Sequence, residues 1–583
     1  MVLWRVRILP FQIGTQPLRR GTPRLTENNE SNNQVLVGCR NDLVCQPTVI
    51  PSLPLTVSFA LLFLTILAVK VVLAAHLDLF PDEAFYWLES ERLALSFSDV
   101  PVLTPALVRA GTWLWGDSPL AARSLFLIFG SLLPPAVYLL ASTIAGRTFA
   151  LHSTFFLLLL PMPAAIGLLI LPDVPMVVLS VFALAAFFRA TRANTLLGWI
   201  VFGVICALGV NAHYRFFFFI LAAVICLFIT KKGRSNWREP GLWTAVSILF
   251  AGCIPVFLFN SANDFAAVSF QFNDRHPWAF DLNGLAYVVE QLYWATPLIF
   301  LLLAITLWRC ARQGMAGSDP HAMIAIFAGA NILPFLVLSP WMDRGEAFTA
   351  HWPVFGYICL LAFLPETLSV LVRRLNRRAR RWLAWVIPGS GLFFVMFTFL
   401  VLTLSAFYSD IPRPLRVIAS DRMAGWSEVG AKVMDLRASG RWRDDAPIVT
   451  DEYYLAAEIA YTTDQQNVYA LNAERARVMG RKAQLEIWDL FENGLRRNHS
   501  LANALLVVER GARELYSDAA TVSRLCEVFG QIRFMDELEL FDGERRYSFY
   551  SAERIRPLVS GRPLPPAELS AQPSCFEGMA RPR

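Results

Sequence analysis

Residues 55–75, LTVSFALLFLTILAVKVVLAA, are almost entirely apolar, and residues 79–107, LFPDEAFYWLESERLALSFSDVPVLTPAL, follow them closely. A helix that spans a bilayer needs roughly 20 mostly apolar residues, and the first stretch has that length. The second stretch opens with Asp82 and Glu83 and carries Asp99 further on. Together they predict a membrane helix that leads into an acid-bearing segment at one face of the bilayer.

Composition extends this prediction to the whole chain. The 583 residues are 55% hydrophobic and only 17% charged, and the mean hydropathy is +0.45. This balance lies outside the usual range of soluble globular proteins. We predict an α-helical polytopic membrane protein with about eleven transmembrane helices, near 55–75, 121–142, 149–171, 174–190, 196–212, 216–230, 242–260, 285–307, 321–339, 352–372 and 383–407.

Lysine and arginine are distributed unequally between alternate loops. Cytoplasmic loops are enriched in these residues, so the N terminus is predicted to be cytoplasmic, with the loop 76–118 and residues 408–583 on the outer side. Residues 1–54 lack the pattern of a cleaved signal peptide and are predicted to be a disordered cytoplasmic tail. A misassigned translation start is the alternative. The loops rich in positive charge carry Arg147, Arg189, Arg192, Lys231, Lys232, Arg234, Arg238, Arg309, Arg312 and six arginines between 373 and 381.

Residues 408–583 read as a separate domain, because the long apolar runs stop after 407. Short apolar segments such as PIVTD, NVYAL and ALLVVER alternate with helical patterns such as YYLAAEIAYTT. This alternation predicts a small soluble α/β domain. Its two cysteines, Cys526 and Cys575, are candidates for a disulfide in an oxidising compartment.

Two carboxylates stand out at the outer face. Asp82 is placed at the N-terminal end of a predicted amphipathic helix, PDEAFYWLESERLAL, lying on the membrane, where the helix dipole favours an ionised general base. Asp173 interrupts the apolar stretch LLILPDVPMVVL, where charge is costly and usually faces a polar cavity. Helix capping is the alternative for both residues.

Other ionisable groups near the outer ends of the spans complete a list of candidates. His213, Tyr214 and Arg215 in GVNAHYRFFFF suit an anionic lipid phosphate, with interfacial anchoring as the alternative. For each loop charge, simple solvation is the alternative. The remaining candidates are Glu83, Asp99, Arg109, Asp274, Arg275, His276, Asp343, Arg344 and His351.

The order of these motifs resembles that of a known family. PDEAFYW with SDVPVL, LPDVP, NAHY, VSFQFNDR, HWPVFGY and DEYYLAAEIAY with VYALN occur in register from residue 55 to about 490. They resemble the GT-C membrane glycosyltransferases of the dolichyl-phosphate-mannose protein mannosyltransferase superfamily. The bacterial relatives that transfer aminoarabinose or galacturonic acid to lipopolysaccharide resemble them most.

The resemblance implies an inverting glycosyltransferase that uses a polyprenyl-phosphate sugar on the periplasmic side of the bacterial inner membrane. The acceptor would be lipid A, the lipopolysaccharide core or another envelope glycan. The implied catalytic residues are Asp82, Glu83 and Asp173, and a divalent metal at Asp99 and His351 is a further possibility. The implied donor-phosphate residues are His213, Tyr214, Arg215, Arg275 and His276.

Two residues depart from the family pattern, and one alternative function stays open. Val100 stands where relatives have His or Lys, and His213 stands where they have Lys. A transporter or flippase of an anionic lipid-linked substrate is the alternative function. Such proteins commonly contain internal repeats, and the sequence shows no convincing repeat.

Overall fold

The computed structural model describes residues 53–276, 278–342, 350–443, 446–558 and 575–577, which all belong to one compact unit. The predicted tail 1–54 therefore lies almost entirely outside the described residues, as do Asp343 and Arg344.

The described part of the chain between residues 53 and 406 is mainly helical. In chain order, the helices are α1 (Leu53–His76), α2 (Pro81–Glu91), α3 (Leu103–Trp115), α4 (Pro119–Ser131), α5 (Leu133–Ile144), α6 (Arg147–Leu157), α7 (Pro161–Ala165), α8 (Asp173–Ala193), α9 (Leu196–Val210), α10 (Phe217–Ile229), α11 (Lys231–Ser235), α12 (Pro240–Ala262), α13 (Ala266–Ser269), α14 (Ala286–Trp294), α15 (Pro297–Met315), α16 (Asp319–Leu338), α17 (Val354–Leu361), α18 (Leu364–Arg373) and α19 (Arg377–Ala406). Short 3-10 turns lie at Tyr214–Phe216, Asn236–Arg238, Leu282–Leu285 and Ser339–Trp341, and a π turn lies at Phe270–Asp274.

These helices confirm the predicted polytopic membrane architecture. Among the described residues, seven helices are long and apolar enough to cross a membrane, or nine if each of two bent pairs counts as one span. Every predicted segment coincides with at least one helix, but some of the predicted spans are divided into two helices. The segment 149–171 becomes α6 and α7, and 285–307 becomes α14 and α15. Pro161 and Pro297 begin the second helix of each pair, as expected of a residue that favours the first helical turn.

Helix α2 carries the acid-bearing segment, and its surroundings in the structure differ from those that the sequence predicted. Pro81 occupies its first turn, and Glu83 accepts a hydrogen bond at 2.8 Å from the backbone N–H of Phe80, which satisfies a donor at the start of the helix. The helix ends at Glu91. Phe85 and Leu88 are buried because the C-terminal sheet domain, here called the outer domain after its predicted location, covers the helix.

The outer domain contains a mixed six-stranded sheet, which confirms the predicted α/β fold. The strands follow the order β2-β1-β3-β5-β4-β6; β1 pairs in parallel with β2 and β3, and β5 runs antiparallel to β3 and β4. The strands are β1 (Ile448–Thr450), β2 (Val468–Ala470), β3 (Ala504–Val508), β4 (Phe529–Leu540), β5 (Arg545–Ile555) and β6 (Phe576–Glu577). The helices are α20 (Arg413–Arg416), α21 (Trp426–Ala438), α22 (Tyr453–Thr463), α23 (Ala473–Val478), α24 (Arg481–Ile487), α25 (Glu492–Asn498), α26 (Ala512–Ser517) and α27 (Ala519–Val528), with 3-10 turns at Asp421–Met423 and Phe541–Gly543.

Aromatic contacts hold the outer domain on α2. The Phe85 ring centroid lies 6.1 Å from that of Tyr453 and 5.9 Å from that of Trp488, and Trp87 lies 5.2 Å from Tyr461. The disulfide between Cys526 and Cys575 is formed. The boundary at residue 408 stays a prediction, since the described part of the chain packs as one unit.

Candidate active site

Asp82 lies in the first turn of α2, and part of its carboxylate is open to solvent. Its side chain is 23% exposed, and Asp82 Oδ1 accepts a hydrogen bond at 3.1 Å from Arg481 Nη2. The guanidinium and the positive end of the helix dipole both lie at this end of α2. Asp82 is therefore an accessible carboxylate at the end of the helix where the sequence predicted one.

Arg481 is the residue that sequence reasoning missed. It begins α24 of the outer domain, its side chain is 3% exposed, and it forms ion pairs with Asp82 and Asp99. Its guanidinium carbon also lies 4.4 Å from the ring centroid of Phe85 and 4.9 Å from that of Tyr86. The outer domain thus places a cation beside the carboxylate of α2.

A third carboxylate completes the group that we call the Arg481 cluster, made of Arg481, Asp82, Asp99 and Glu89. Glu89 has no exposed surface, and its Oε1 lies 3.9 Å from Arg481 Nη1. Burial raises the pKa of Glu89 well above its usual range, and the charge of Asp99 raises it further. One guanidinium therefore faces three carboxylates.

Glu83, the neighbour of Asp82, is enclosed completely. Glu83 and Arg123 of α4 are both 0% exposed and form a bidentate pair, with Nε–Oε1 at 2.8 Å and Nη2–Oε2 at 2.5 Å. The backbone N–H of Ile170 also donates to Glu83 at 2.7 Å. The Arg123 guanidinium donates to the carbonyls of Ala74 and Leu77 at the end of α1. These bonds join α1, α2 and α4 to the segment that precedes α8.

Asp173 forms the centre of a second polar group. It is the first residue of α8, with Pro172 at the N-cap position and no side-chain cap there. Its carboxylate pairs with Arg215 and lies 3.1 Å from His351 Nε2. The backbone N–H of Arg215 donates to His213 Nδ1 at 3.0 Å. We call these four residues the Asp173 cluster.

Two guanidinium groups stack on Trp352, next to the Asp173 cluster. The guanidinium carbons of Arg215 and Arg275 each lie 4.8 Å from the Trp352 ring centroid, and the His276 ring lies 5.9 Å from it. Among the described residues, Arg275 forms no ion pair, and burial lowers its pKa to about 10. The charges of Asp173 and Asp82 both act on Arg275. Arg275 is thus a cation without an ion-pair partner in the described part of the chain, and carboxylates of both clusters act on it.

The other predicted site residues have separate partners. Tyr214 donates to the carbonyl of Phe97 at 2.9 Å and lies 3.0 Å from the Ser96 hydroxyl, so it fixes the loop before α3. The remaining predicted charges form ion pairs, Arg109 with Glu91 and Asp274 with Arg477.

Asp99 and His351, the predicted metal ligands, belong to different clusters. Asp99 contacts Arg481, and His351 contacts Asp173. Among the described residues, no three His, Cys, Asp or Glu side chains form a group that could hold a metal ion. The arrangement does not fit a metal held jointly by Asp99 and His351, and metal dependence stays a prediction.

The sequence is similar to a known protein family and to a curated relative. Residues 99–259 match the family described as dolichyl-phosphate-mannose-protein mannosyltransferase. A lipid A galacturonosyltransferase, RgtD of Rhizobium johnstonii, is 24% identical over 293 residues, which cover 48% of this chain and 59% of that protein. The chain therefore spans little more than half the length of this curated relative.

Two solved structures share the fold. ArnT from Cupriavidus metallidurans, bound to undecaprenyl phosphate, is 15% identical with a TM-score of 0.57, and covers 85% of this chain and 98% of its own. Its apo structure gives a TM-score of 0.56. The shared fold is that of a polytopic α-helical membrane protein of GT-C type with a C-terminal α/β domain. The match of residues 99–259 to the dolichyl-phosphate-mannose-protein mannosyltransferase family, together with this fold, confirms the predicted resemblance.

Proposed function

We propose that this protein is an inverting glycosyltransferase that moves a sugar from a polyprenyl-phosphate donor to a lipid A, core or other envelope glycan acceptor. It would act at the periplasmic face of a bacterial inner membrane. The observation that carries the proposal is the position of Asp82, a partly exposed carboxylate near the unpaired cation Arg275. The family domain and the RgtD relative support the same reaction class.

In the proposed reaction, Asp82 accepts the proton of the acceptor hydroxyl while that oxygen attacks the anomeric carbon. The carbon–oxygen bond to the phosphate breaks on the opposite face, and its electron pair leaves with the polyprenyl phosphate. Attack from the opposite face inverts the anomeric configuration. General-base assistance of this kind contributes about 10²–10⁴ in rate.

The leaving phosphate needs positive charge, and the structure offers it beside Trp352. Arg275 is available because it has no carboxylate partner among the described residues, whereas Arg215 is paired with Asp173. Fixed cations aimed at developing negative charge stabilise such a transition state without reorganisation. We assign donor-phosphate binding to Arg275 first, with Arg215, His213 and His276 around it. Asp173 would orient Arg215.

Glu83 and Arg481 receive positioning roles in this proposal. The sequence predicted Glu83 as catalytic, but a carboxylate with no exposed surface and four hydrogen bonds is placed to hold α2. Arg481 orients Asp82 through their ion pair. The outer domain would then be needed for catalysis because it supplies Arg481.

The test is transfer by the purified full chain in lipid nanodiscs. The donors are undecaprenyl-phosphate galacturonic acid, aminoarabinose and mannose, and the acceptors are lipid A and core-bearing lipopolysaccharide. We expect transfer from one donor by the wild type and by Asp117→Asn, an exposed carboxylate of the same outer loop, but not by Asp82→Asn. Equal transfer by Asp82→Asn would remove Asp82 as the base. Movement of the donor lipid across the bilayer without transfer would favour a flippase.

A further inference from the structure

The outer domain has a crevice at the position where many α/β proteins bind their ligands. Strands β1 and β3 are adjacent and parallel. After β1 the chain passes through α22 to β2 on one side, and after β3 it passes through α26 and α27 towards β4 on the other side. The connections thus diverge between the carboxyl ends of β1 and β3. Such switch points are the usual ligand sites of open α/β sheets.

A cavity of about 250 Å³ lies at this switch point. It is just below the range of about 300–1,000 Å³ that is typical of small-molecule sites, so it suits a ligand of one or two rings. The side chains that line it are polar and of mixed charge. They include Asp451 and Glu452 after β1, Asn472 after β2, Arg510 after β3, and Thr521 and Arg524 of α27.

Most of these charges are paired with each other, but two are not. Arg510 pairs with Asp518 at 2.5 Å, and Asn472 Nδ2 donates to Glu452 Oε1 at 2.9 Å. Among the described residues, the Asp451 carboxylate forms no ion pair and accepts a long hydrogen bond of 3.5 Å from the backbone N–H of Glu509. Arg524 is exposed and also has no ion pair within the described ranges. In the part of the chain that the structure describes, one carboxylate and one guanidinium thus line the cavity without an ion-pair partner.

This chemistry suits the hydroxyl groups of a sugar ring. Ionised carboxylates accept hydrogen bonds from hydroxyls, whereas guanidinium and amide N–H groups donate to them. A phosphate group would meet the negative charges of Asp451, Glu452 and Asp518, which disfavours an anion. Burial, with the charges of Glu452 and Glu509, raises the pKa of Asp451 to about 7, although Arg510 acts in the opposite direction.

The crevice is connected to the candidate active site through α22. Tyr453 follows Glu452, and its ring packs on Phe85 of α2 with centroids 6.1 Å apart. The charges of Asp82 and Arg481 act on Tyr453. A glycan bound in the crevice would therefore be separated from α2, the helix that carries Asp82, by one layer of side chains.

We propose that the crevice between β1 and β3, lined by Asp451, Glu452, Asn472, Arg510, Thr521 and Arg524, binds a saccharide unit of the acceptor. This unit is remote from the hydroxyl that is glycosylated. The assignment to the acceptor rests on the proposed transferase function, whereas sugar binding itself does not. The crevice would make the outer domain a selector of acceptors that carry that sugar.

Sugar binding is tested by saturation-transfer NMR on the purified full chain. The probes are the methyl glycosides of glucosamine, galacturonic acid, mannose, heptose and 3-deoxy-manno-octulosonic acid, with inorganic phosphate as a separate probe. We expect one saccharide to bind, with Asp451→Asn and Arg524→Ala each lowering its affinity about tenfold or more. Asp82→Asn and Arg513→Ala, an exposed arginine of α26 outside the cavity, should bind as the wild type does. Binding of none of the saccharides, unchanged binding by both crevice variants, or binding of phosphate alone would overturn the proposal.

The acceptor assignment is tested separately by kinetics with two acceptors, one with and one without the bound sugar. The crevice variants should raise KM about tenfold for the acceptor that carries the sugar, with kcat changed less than twofold. KM for the shorter acceptor should not change. An equal effect on both acceptors would overturn the assignment. If no transfer occurs while sugar binding is lost in the crevice variants, the transferase function fails and the binding site stands.

Discussion

Asp82 and Glu83 are adjacent in sequence, but their side chains lie in different environments. Glu83 is fully enclosed and bonded to Arg123 and to the backbone, whereas Asp82 is 23% exposed and has one ion-pair partner. Successive residues of an α-helix point about 100° apart, so the pair faces two different regions. A pair of acids in a motif therefore need not be a pair of catalytic groups, because one can hold the helix that presents the other.

The partners of the two acids differ in origin as well. Arg123 comes from a membrane helix, 40 residues from Glu83, whereas Arg481 comes from the outer domain, 399 residues from Asp82. The Glu83 pair should therefore determine whether the membrane part folds. The Asp82 pair should determine whether the folded protein is active, and separate measurements can distinguish these effects.

The largest expected effect is on the activity of Asp82→Asn. Loss of the general base should lower kcat about 10³-fold, within the usual range for such groups. The thermal unfolding midpoint should stay close to that of the wild type, because Asp82 is partly exposed and has a single ion-pair partner. Transfer kinetics and a fluorescence melt of the same preparation measure both. A collapse of the melting temperature would show that Asp82 is structural like its neighbour.

The next effect is on the stability of Glu83→Gln. Removal of one charge from a buried pair leaves Arg123 uncompensated and costs about 3–5 kcal/mol. Chemical unfolding in detergent measures this loss. The double variant Glu83→Leu with Arg123→Met should recover part of it, because neither charge then remains buried. A Glu83→Gln protein with normal stability and strongly reduced kcat would instead support the predicted catalytic role of Glu83.

Arg481 should show a smaller effect on activity, accompanied by a loss of stability, because Asp99 would stay buried without its cation. Arg481→Ala is expected to lower kcat about 100-fold, and Arg481→Lys, which keeps the charge, about tenfold. KM should change less than kcat, because Arg481 orients Asp82 and does not bind the substrate in this proposal. Steady-state transfer kinetics measure both constants. An equal loss of kcat in both variants would limit Arg481 to packing on Phe85 and Tyr86.

The sequence allowed the membrane segments, the outer α/β domain and the outward acids to be predicted, since hydropathy, strand patterns and loop charges are local signals. It did not reveal Arg123 or Arg481 as partners. Both are single arginines without a motif, and only the fold brings them to α2. The breaks inside 149–171 and 285–307 were also not predicted, because the length of an apolar segment gives no information about a bend within it. Long-range pairing was thus the information that local patterns lacked.

The smallest expected effect is the pH dependence conferred by Glu458 of α22, near the enclosed pair. Neither carboxyl oxygen has a hydrogen bond among the described residues, and burial, with the charges of Asp78 and Glu83, raises its pKa well above the usual range despite Arg545 and Arg123. Above about pH 4.3, the unfolded value, the folded protein therefore holds a proton that the unfolded chain releases. Stability falls as pH rises until the folded pKa is reached. Relative to the wild type, Glu458→Gln should gain about 1 kcal/mol or more between pH 5 and pH 8, measured by chemical unfolding at both values. A difference between the two proteins that is independent of pH would show that Glu458 is ionised in the folded state.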